Sequence, residues 1–369
     1  MEYGVAHGPG IAVKFLVLPH VSGRHKPTTQ RLRELVENAV LAEQLGFDAY
    51  GVGERHERPY EESSPAIILS HIAAHTSKIR LFTAVTVLSL HDPVRAFEDY
   101  STLDHLSGGR LDLIIGKGNG AVQARLFNVT TEDQWERHRE NYELFRLLWQ
   151  QDQVTWQGRF RPPLHEAEAL PRPLQQPIRV WHGSATSKDS VELAARHGDP
   201  LFSANGANTI EQYAALVRHY RRRWAFHGHE PQDALVGAGT AGYFGARTSQ
   251  EAIDRYRPVF EARMAVIQRY GHGQSLPFDT LEDFVERSSA LIGSPQQIIE
   301  KVHRYHEQFG HELLHIHVDG EVLSRKDYLT TLELFQSDIA PVLRRELPSR
   351  PFPGPPVSAV PAGLHELPG

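Results

Sequence analysis

Four groups of ionisable, hydroxyl-bearing or glycine residues stand where short apolar runs give way to loops. The densest is Glu54, Arg55, His56, Glu57 and Arg58, directly after the run 49–52. A charge run of this kind reads either as a solvated loop or as chemistry. On the second reading His56 is a general acid or base, because an imidazole titrates near neutrality, with Glu54 and Arg55 beside it. Gly116-Lys117-Gly118-Asn119-Gly120 follows the run 111–115. Glycines let main-chain amides approach an anion and Lys117 adds a point charge, although the frame of a P-loop is missing. Gly183, Ser184, Ala185, Thr186 and Ser187 lead from the run 178–181 into a helix. Free first-turn amides, the helix dipole and hydroxyls suit a phosphate monoester; plain N-capping is the alternative. His315, His317 and Asp319 alternate along a run near the end of the body. That spacing is compatible with metal ligation and equally with a hydrogen-bonded polar face.

These groups need a scaffold, and the pattern between them supplies one. Eight apolar or β-branched runs, 13–18, 49–52, 79–87, 111–115, 178–181, 200–203, 235–243 and 313–318, alternate with helix-period segments at 31–45, 94–106, 137–150, 189–197, 210–226, 250–270, 295–309 and 327–343. Eight strand–helix pairs predict an α/β protein, a closed (β/α)8 TIM barrel with insertions, in which function collects at the C-terminal ends of the strands. Gly46 after Leu45 marks a left-handed helix stop, and Asp92-Pro93 marks a helix start. The barrel is expected over 1–346. Residues 347–369 carry seven prolines in 23 residues without apolar periodicity, which predicts a Pro-rich, poorly ordered tail. A second proline-rich stretch lies at 161–177. The segment 271–289, with Gly271, Gly273 and Pro277, is long enough for a mobile lid.

Composition narrows the classes. With 39 Lys+Arg against 45 Asp+Glu the chain carries a formal charge of −6, which argues against a nucleic-acid binder working through a basic face. Cys is absent, so thiol nucleophiles, disulfides and iron–sulfur clusters are out. With 22 His, metal has to be considered. The start has no basic segment followed by an apolar stretch, and no apolar run reaches membrane-spanning length, so the expected location is cytoplasmic with no membrane partner.

Taken in order, the fragments Leu45-Gly46-Phe47-Asp48-Ala49-Tyr50 running into Gly53-Glu54-Arg55-His56, Asp92-Pro93-Val94-Arg95, Leu103-Asp104-His105-Leu106-Ser107-Gly108-Gly109-Arg110, Pro171-Arg172-Pro173-Leu174-Gln175-Gln176-Pro177, Gly293-Ser294-Pro295 and Leu334-Phe335-Gln336-Ser337-Asp338-Ile339-Ala340-Pro341 resemble the luciferase-like, flavin-dependent monooxygenase superfamily. The resemblance implies a (β/α)8 barrel that binds FMN and uses reduced flavin with O2 to oxidise a small organic substrate. It implies a cis peptide at Ala84-Val85 against the flavin ring, a cationic flavin ligand at Lys117 and a phosphate turn at Gly183, Ser184, Ala185, Thr186 and Ser187. Glu54, Arg55 and His56 then lie on the substrate side. Two departures bear on the branch. Arg55 stands where the luciferase branch has its catalytic histidine, and Gly116 where it has a reactive Cys, so a non-luminescent relative is expected. The deazaflavin F420 as hydride carrier is the nearest alternative, followed by a metal-dependent barrel hydrolase using His315, His317 and Asp319, and by a barrel subunit without catalysis. The same resemblance implies a homodimer through 66–75 and 94–106 and allows a separate flavin reductase as partner.

Overall fold

The computed structural model describes residues 11–19, 26–118, 121–270 and 276–349. Each apolar run contributes one strand of a closed parallel barrel: β1 (Lys14–Val17), β2 (Ala49–Val52), β3 (Arg80–Val87), β4 (Leu111–Gly116), β5 (Arg179–Ser184), β6 (Leu201–Ser203), β7 (Val236–Ala238) and β8 (Leu313–Ile316). They neighbour one another in chain order, and β8 pairs with β1 to close the ring. The chain returns outside the barrel through α1 (Thr28–Leu45), α2 (Pro65–His75), α3 (Pro93–Ser107), α4 (Gln134–Gln150), α5 (Lys188–His197), α6 (Ile210–Phe226), α7 (Pro295–Phe309) and α8 (Arg325–Leu334). The end signals act as read. Gly46 closes α1 at φ 86°, and the Asp92 carboxylate accepts from the amides of Val94 and Arg95 at the start of α3.

The barrel is plugged by side chains. Leu16, Phe82, Ile114, Trp181, Phe202 and Leu313 form one buried cluster inside it, so this is a packed core and no pore. Because strand residues alternate faces, the residue two places beyond each plug residue also points inward. On three adjacent strands that residue is Ala84, Gly116 or Gly183. The inward positions above the plug are thus small on these strands, at the end of the barrel where the candidate residues lie.

Several segments differ from the sequence reading. The run 235–243 is split: β7 ends at Ala238, and Tyr243–Gly245 leaves the barrel to pair with Leu291–Gly293. The cause is Gly239, where any Cβ would sit 2.7 Å from the amide nitrogen of Asn205, so the chain turns close against the β6 loop. The stretch 161–177 includes one strand of a hairpin, Val154–Trp156 against Leu164–Ala167, and ends in cis Leu170-Pro171 and Gln176-Pro177 bonds. The second half of the expected lid is packed, because Phe278, Leu281 and Phe284 are buried around the helix Leu281–Arg287; residues 271–275 lie outside the described residues. Order also continues past 346: Leu347 is buried and Pro348–Ser349 pairs antiparallel with Ile11–Ala12. The remainder of the tail, 350–369, lies outside the described residues, as does 1–10. No described helix is long and apolar enough to cross a membrane.

Candidate functional site

The loop after β2 carries Glu54 with its side chain fully buried. Its Oε1 lies 2.9 Å from His56 Nε2 and 2.9 Å from His91 Nε2, and its Oε2 accepts the Val87 amide at 2.8 Å. Burial alone would raise this carboxyl, but the hydrogen bonds from His56 and His91 and the charge of His91 outweigh it and bring the group to about 2. Glu54 is therefore an anion that can only accept, which makes both Nε2 atoms donors and leaves Nδ1 of each ring as its basic nitrogen. Burial would lower His91, yet the bond and charge of Glu54 raise it above the ordinary imidazole value. Phe127 stands edge-on to His56, ring centroids 4.6 Å apart, and narrows water access to it. Arg55 is half-buried, its guanidinium 4.9 Å from the Tyr60 ring, and its amide donates to Glu62 O at 2.7 Å.

Ala84-Val85 is a cis peptide bond, as the resemblance implies. The ladder between β3 and β4 runs Ala84 to Ile114 and then Thr86 to Ile115, so Val85 is the extra residue of a bulge and turns into the mouth. From Leu81 onward these are the two residues of β3 that keep exposure. Gly116 and Gly183 make the room for Val85. An added Cβ would sit 3.2 Å from Val85 Cγ2 at position 116, and 3.0 Å from Val85 Cγ1 at position 183. Gly116 thus seats Val85.

Lys117 follows at the end of β4. Its ammonium donates to Gly118 O at 3.1 Å, and Ser89 Oγ donates to Lys117 O at 2.7 Å. Asn119 and Gly120, the rest of that glycine loop, lie outside the described residues. At the β5 end the capping reading of the turn is met. Ser187 caps α5 by accepting the Ser190 amide at 3.2 Å, and Ser184 Oγ donates to Ser187 O at 2.9 Å, so these two hydroxyls serve the turn itself. Ala185 and Thr186 are exposed, and the first-turn amides have no partner within the helix.

Three side chains that the sequence reading missed stand behind Lys117. Among the described residues, Gln123 Oε1, Gln134 Nε2 and His138 Nδ1 are buried without a hydrogen-bond partner. Burial first, then His182 and Lys117, push His138 down to about 3, so its ring is neutral. Gly118, at φ 78°, sits so close to Gln123 and Gln134 that a Cβ would lie 2.9 Å from the amide nitrogen of each. Their signal was present: Gln134, His138 and Asn141 recur at helix spacing on the buried face of α4, where apolar residues are the rule.

The metal-ligand set does not assemble. β8 ends at Ile316, so His317 and Asp319 lie beyond the strand. His315 accepts the Thr240 amide at Nδ1, both His315 and His317 are bonded to Leu18 O, and Asp319 accepts the amides of Glu321 and Val322. Among the described residues no group of three His, Asp or Glu could hold a metal ion.

The closed eight-stranded barrel and the family profile together define a class. The chain belongs to the luciferase-like monooxygenase family, whose profile matches residues 12–312. It is 26% identical to 4-hydroxyprotoasukamycin monooxygenase of Streptomyces nodosus subsp. asukaensis over 83% of this chain and 85% of that one. It is 25% identical to an F420-dependent glucose-6-phosphate dehydrogenase of Intrasporangium calvum over 85% and 95%. The oxygenating component of 3,6-diketocamphane monooxygenase from Pseudomonas putida, solved with FMN, has the same fold at a TM-score of 0.77 and 19% identity, over 92% of this chain and all of that one.

Proposed function

We propose that the protein is an FMN-dependent monooxygenase, using reduced FMN and O2 to oxidise a small organic substrate without light emission. The observation that supports this most is the set of small residues, Ala84, Gly116 and Gly183, at the inward-facing ends of three adjacent strands, with Val85 the side chain packed against both glycines. A flavin fits the residues present. A face of small residues around Val85 suits a flat ring, while Lys117, the first-turn amides of α5 and Thr186 suit its phosphate. Orphaned Gln123 and Gln134 behind Lys117 offer further polar contacts. Bound reduced FMN would supply the electrons that activate O2.

The chain's own residues bind, orient and move protons. Lys117 and the α5 amides hold the phosphate, and Ala84 and Val85 support the ring. His56 exchanges a proton at Nδ1 on the substrate side, since Glu54 engages its Nε2. Arg55 acts as a charge clamp through its guanidinium. The F420 reading draws support from the Intrasporangium relative. Anaerobic titration of the protein with reduced FMN and with F420, side by side, separates the two. Reduced FMN is expected to bind with Kd below about 100 μM, roughly 5.5 kcal/mol. Tighter binding of F420 overturns the FMN assignment, and binding of neither overturns both.

The protein pairs as a homodimer through α2 and α3, where Ile67 and Leu106 are 72% and 62% exposed.

A further inference from the structure

His91 does not belong to any of the four groups that the sequence singles out, yet it shares an acceptor atom with His56. Both imidazoles donate through Nε2 to the same oxygen, Glu54 Oε1, each at 2.9 Å. The two rings differ in access. The His56 side chain is 10% exposed, the His91 side chain 31%. The turn that carries His91 is clamped from α4: Asn141 Nδ2 donates to Leu88 O at 3.0 Å and to His91 O at 2.9 Å. Ser89 of the same turn holds Lys117 O.

We infer that His91 is a positioning residue which, by sharing the Glu54 carboxylate with His56, sets how readily His56 takes up a proton. A single anion stabilises one neighbouring imidazolium well and two poorly, because the second cation meets a carboxylate already neutralised and a like charge beside it. The two histidines therefore titrate as a coupled pair, and a proton on His91 keeps His56 in its basic form. Other groups facing His91 leave this coupling in place. From α3 come Asp99, which is paired with Arg95 at 2.7 Å, and, behind Glu54, the neutral Tyr100. Asp92, next in the chain, is engaged by Arg161 at 3.2 Å, and Asn141 from α4 carries no charge.

The test has one arm that needs no flavin and one that rests on the proposed function. In the apo-protein, histidine ring protons are followed by NMR against pH, with His91→Gln assigning the resonance. The His91 midpoint is expected to rise by about half a pH unit in His56→Gln, since Glu54 then serves one ring. His56→Asn serves if the Gln variant does not fold. In Asn141→Ala, which frees the turn, the midpoint falls toward the ordinary value. A His91 midpoint that is unchanged in the His56 variants overturns the inference, whatever the flavin does. In turnover, His91→Gln is expected to move the acid limb of kcat upward by a similar amount. A merely structural role would lower kcat at every pH without moving that limb, and that result also overturns the inference. Absence of any flavin-dependent turnover counts against the proposed function alone, because the NMR arm is unaffected.

Discussion

The corner around Glu54 and the edge around Gly116 and Gly183 do opposite things with their residues. At the corner, charge is concentrated: one buried carboxylate is satisfied by two imidazoles and a backbone amide drawn from 54, 56, 87 and 91. At the edge, side chains are withdrawn so that Val85 can turn into the mouth. The difference teaches that one region is held by electrostatics around a buried charge and the other by missing atoms that let a neighbouring side chain pack. Damage should therefore have different signatures, pH-dependent at the corner and steric at the edge.

Breaking the corner has the largest expected effect. Holding Glu54 near 2 rather than near 4.5 corresponds to roughly 3 kcal/mol at neutral pH, so Glu54→Gln should cost about that much in urea unfolding. The sign with pH follows from the directions. Glu54, lowered in the folded state, contributes fully above its unfolded value and loses that contribution as pH falls toward 2. His91, raised in the folded state, contributes fully below about 6.5 and loses it as pH rises through its folded value. The gap between wild type and Glu54→Gln should thus be widest at about pH 5 to 6. A gap that is flat from pH 3 to 8 would show that the corner is not held by charge.

Filling the edge comes next. Gly183→Ala places a methyl 3.0 Å from Val85 Cγ1 and 3.2 Å from both Ile114 Cγ2 and Ile115 O, and should cost about 1–3 kcal/mol with no pH dependence. Adding Val85→Ala should recover part of that loss, since one of the three contacts disappears. If the double variant is no better than the single, the glycine does not serve to seat Val85. Lys117→Met should weaken binding of reduced FMN about tenfold at low salt and less at high salt, leaving the urea midpoint nearly unchanged. Smallest is Ser187→Ala, which removes the α5 cap at a cost of about 1 kcal/mol. On the proposed function its FMN affinity should hardly move, because this hydroxyl is already engaged by the Ser190 amide.

Much of this protein was legible in its residues. Alternation of apolar runs with helix-period segments gave the eight barrel strands, and Gly46 and the Asp92-Pro93 pair stop and start their helices as local rules require. The loop ends that carry Glu54, Lys117 and Ser187 could be named because a barrel puts its chemistry there. Local rules missed what is fixed only by contact across the chain. His91 looked like a loop residue until the β3 turn brought it onto Glu54, 37 positions away, and Gln134 and His138 looked like an ordinary helix face until burial left their polar atoms without partners. The alternating His315, His317 and Asp319 left a metal site and a hydrogen-bonded polar face both open, and it is the backbone partners, which come from distant segments as well as near ones, that make them the second. Sequence determines which elements form, because that depends on neighbours within a few residues. Which polar atoms share an acceptor, and where space is left empty, is decided by packing between distant segments, and only the tertiary structure carries it.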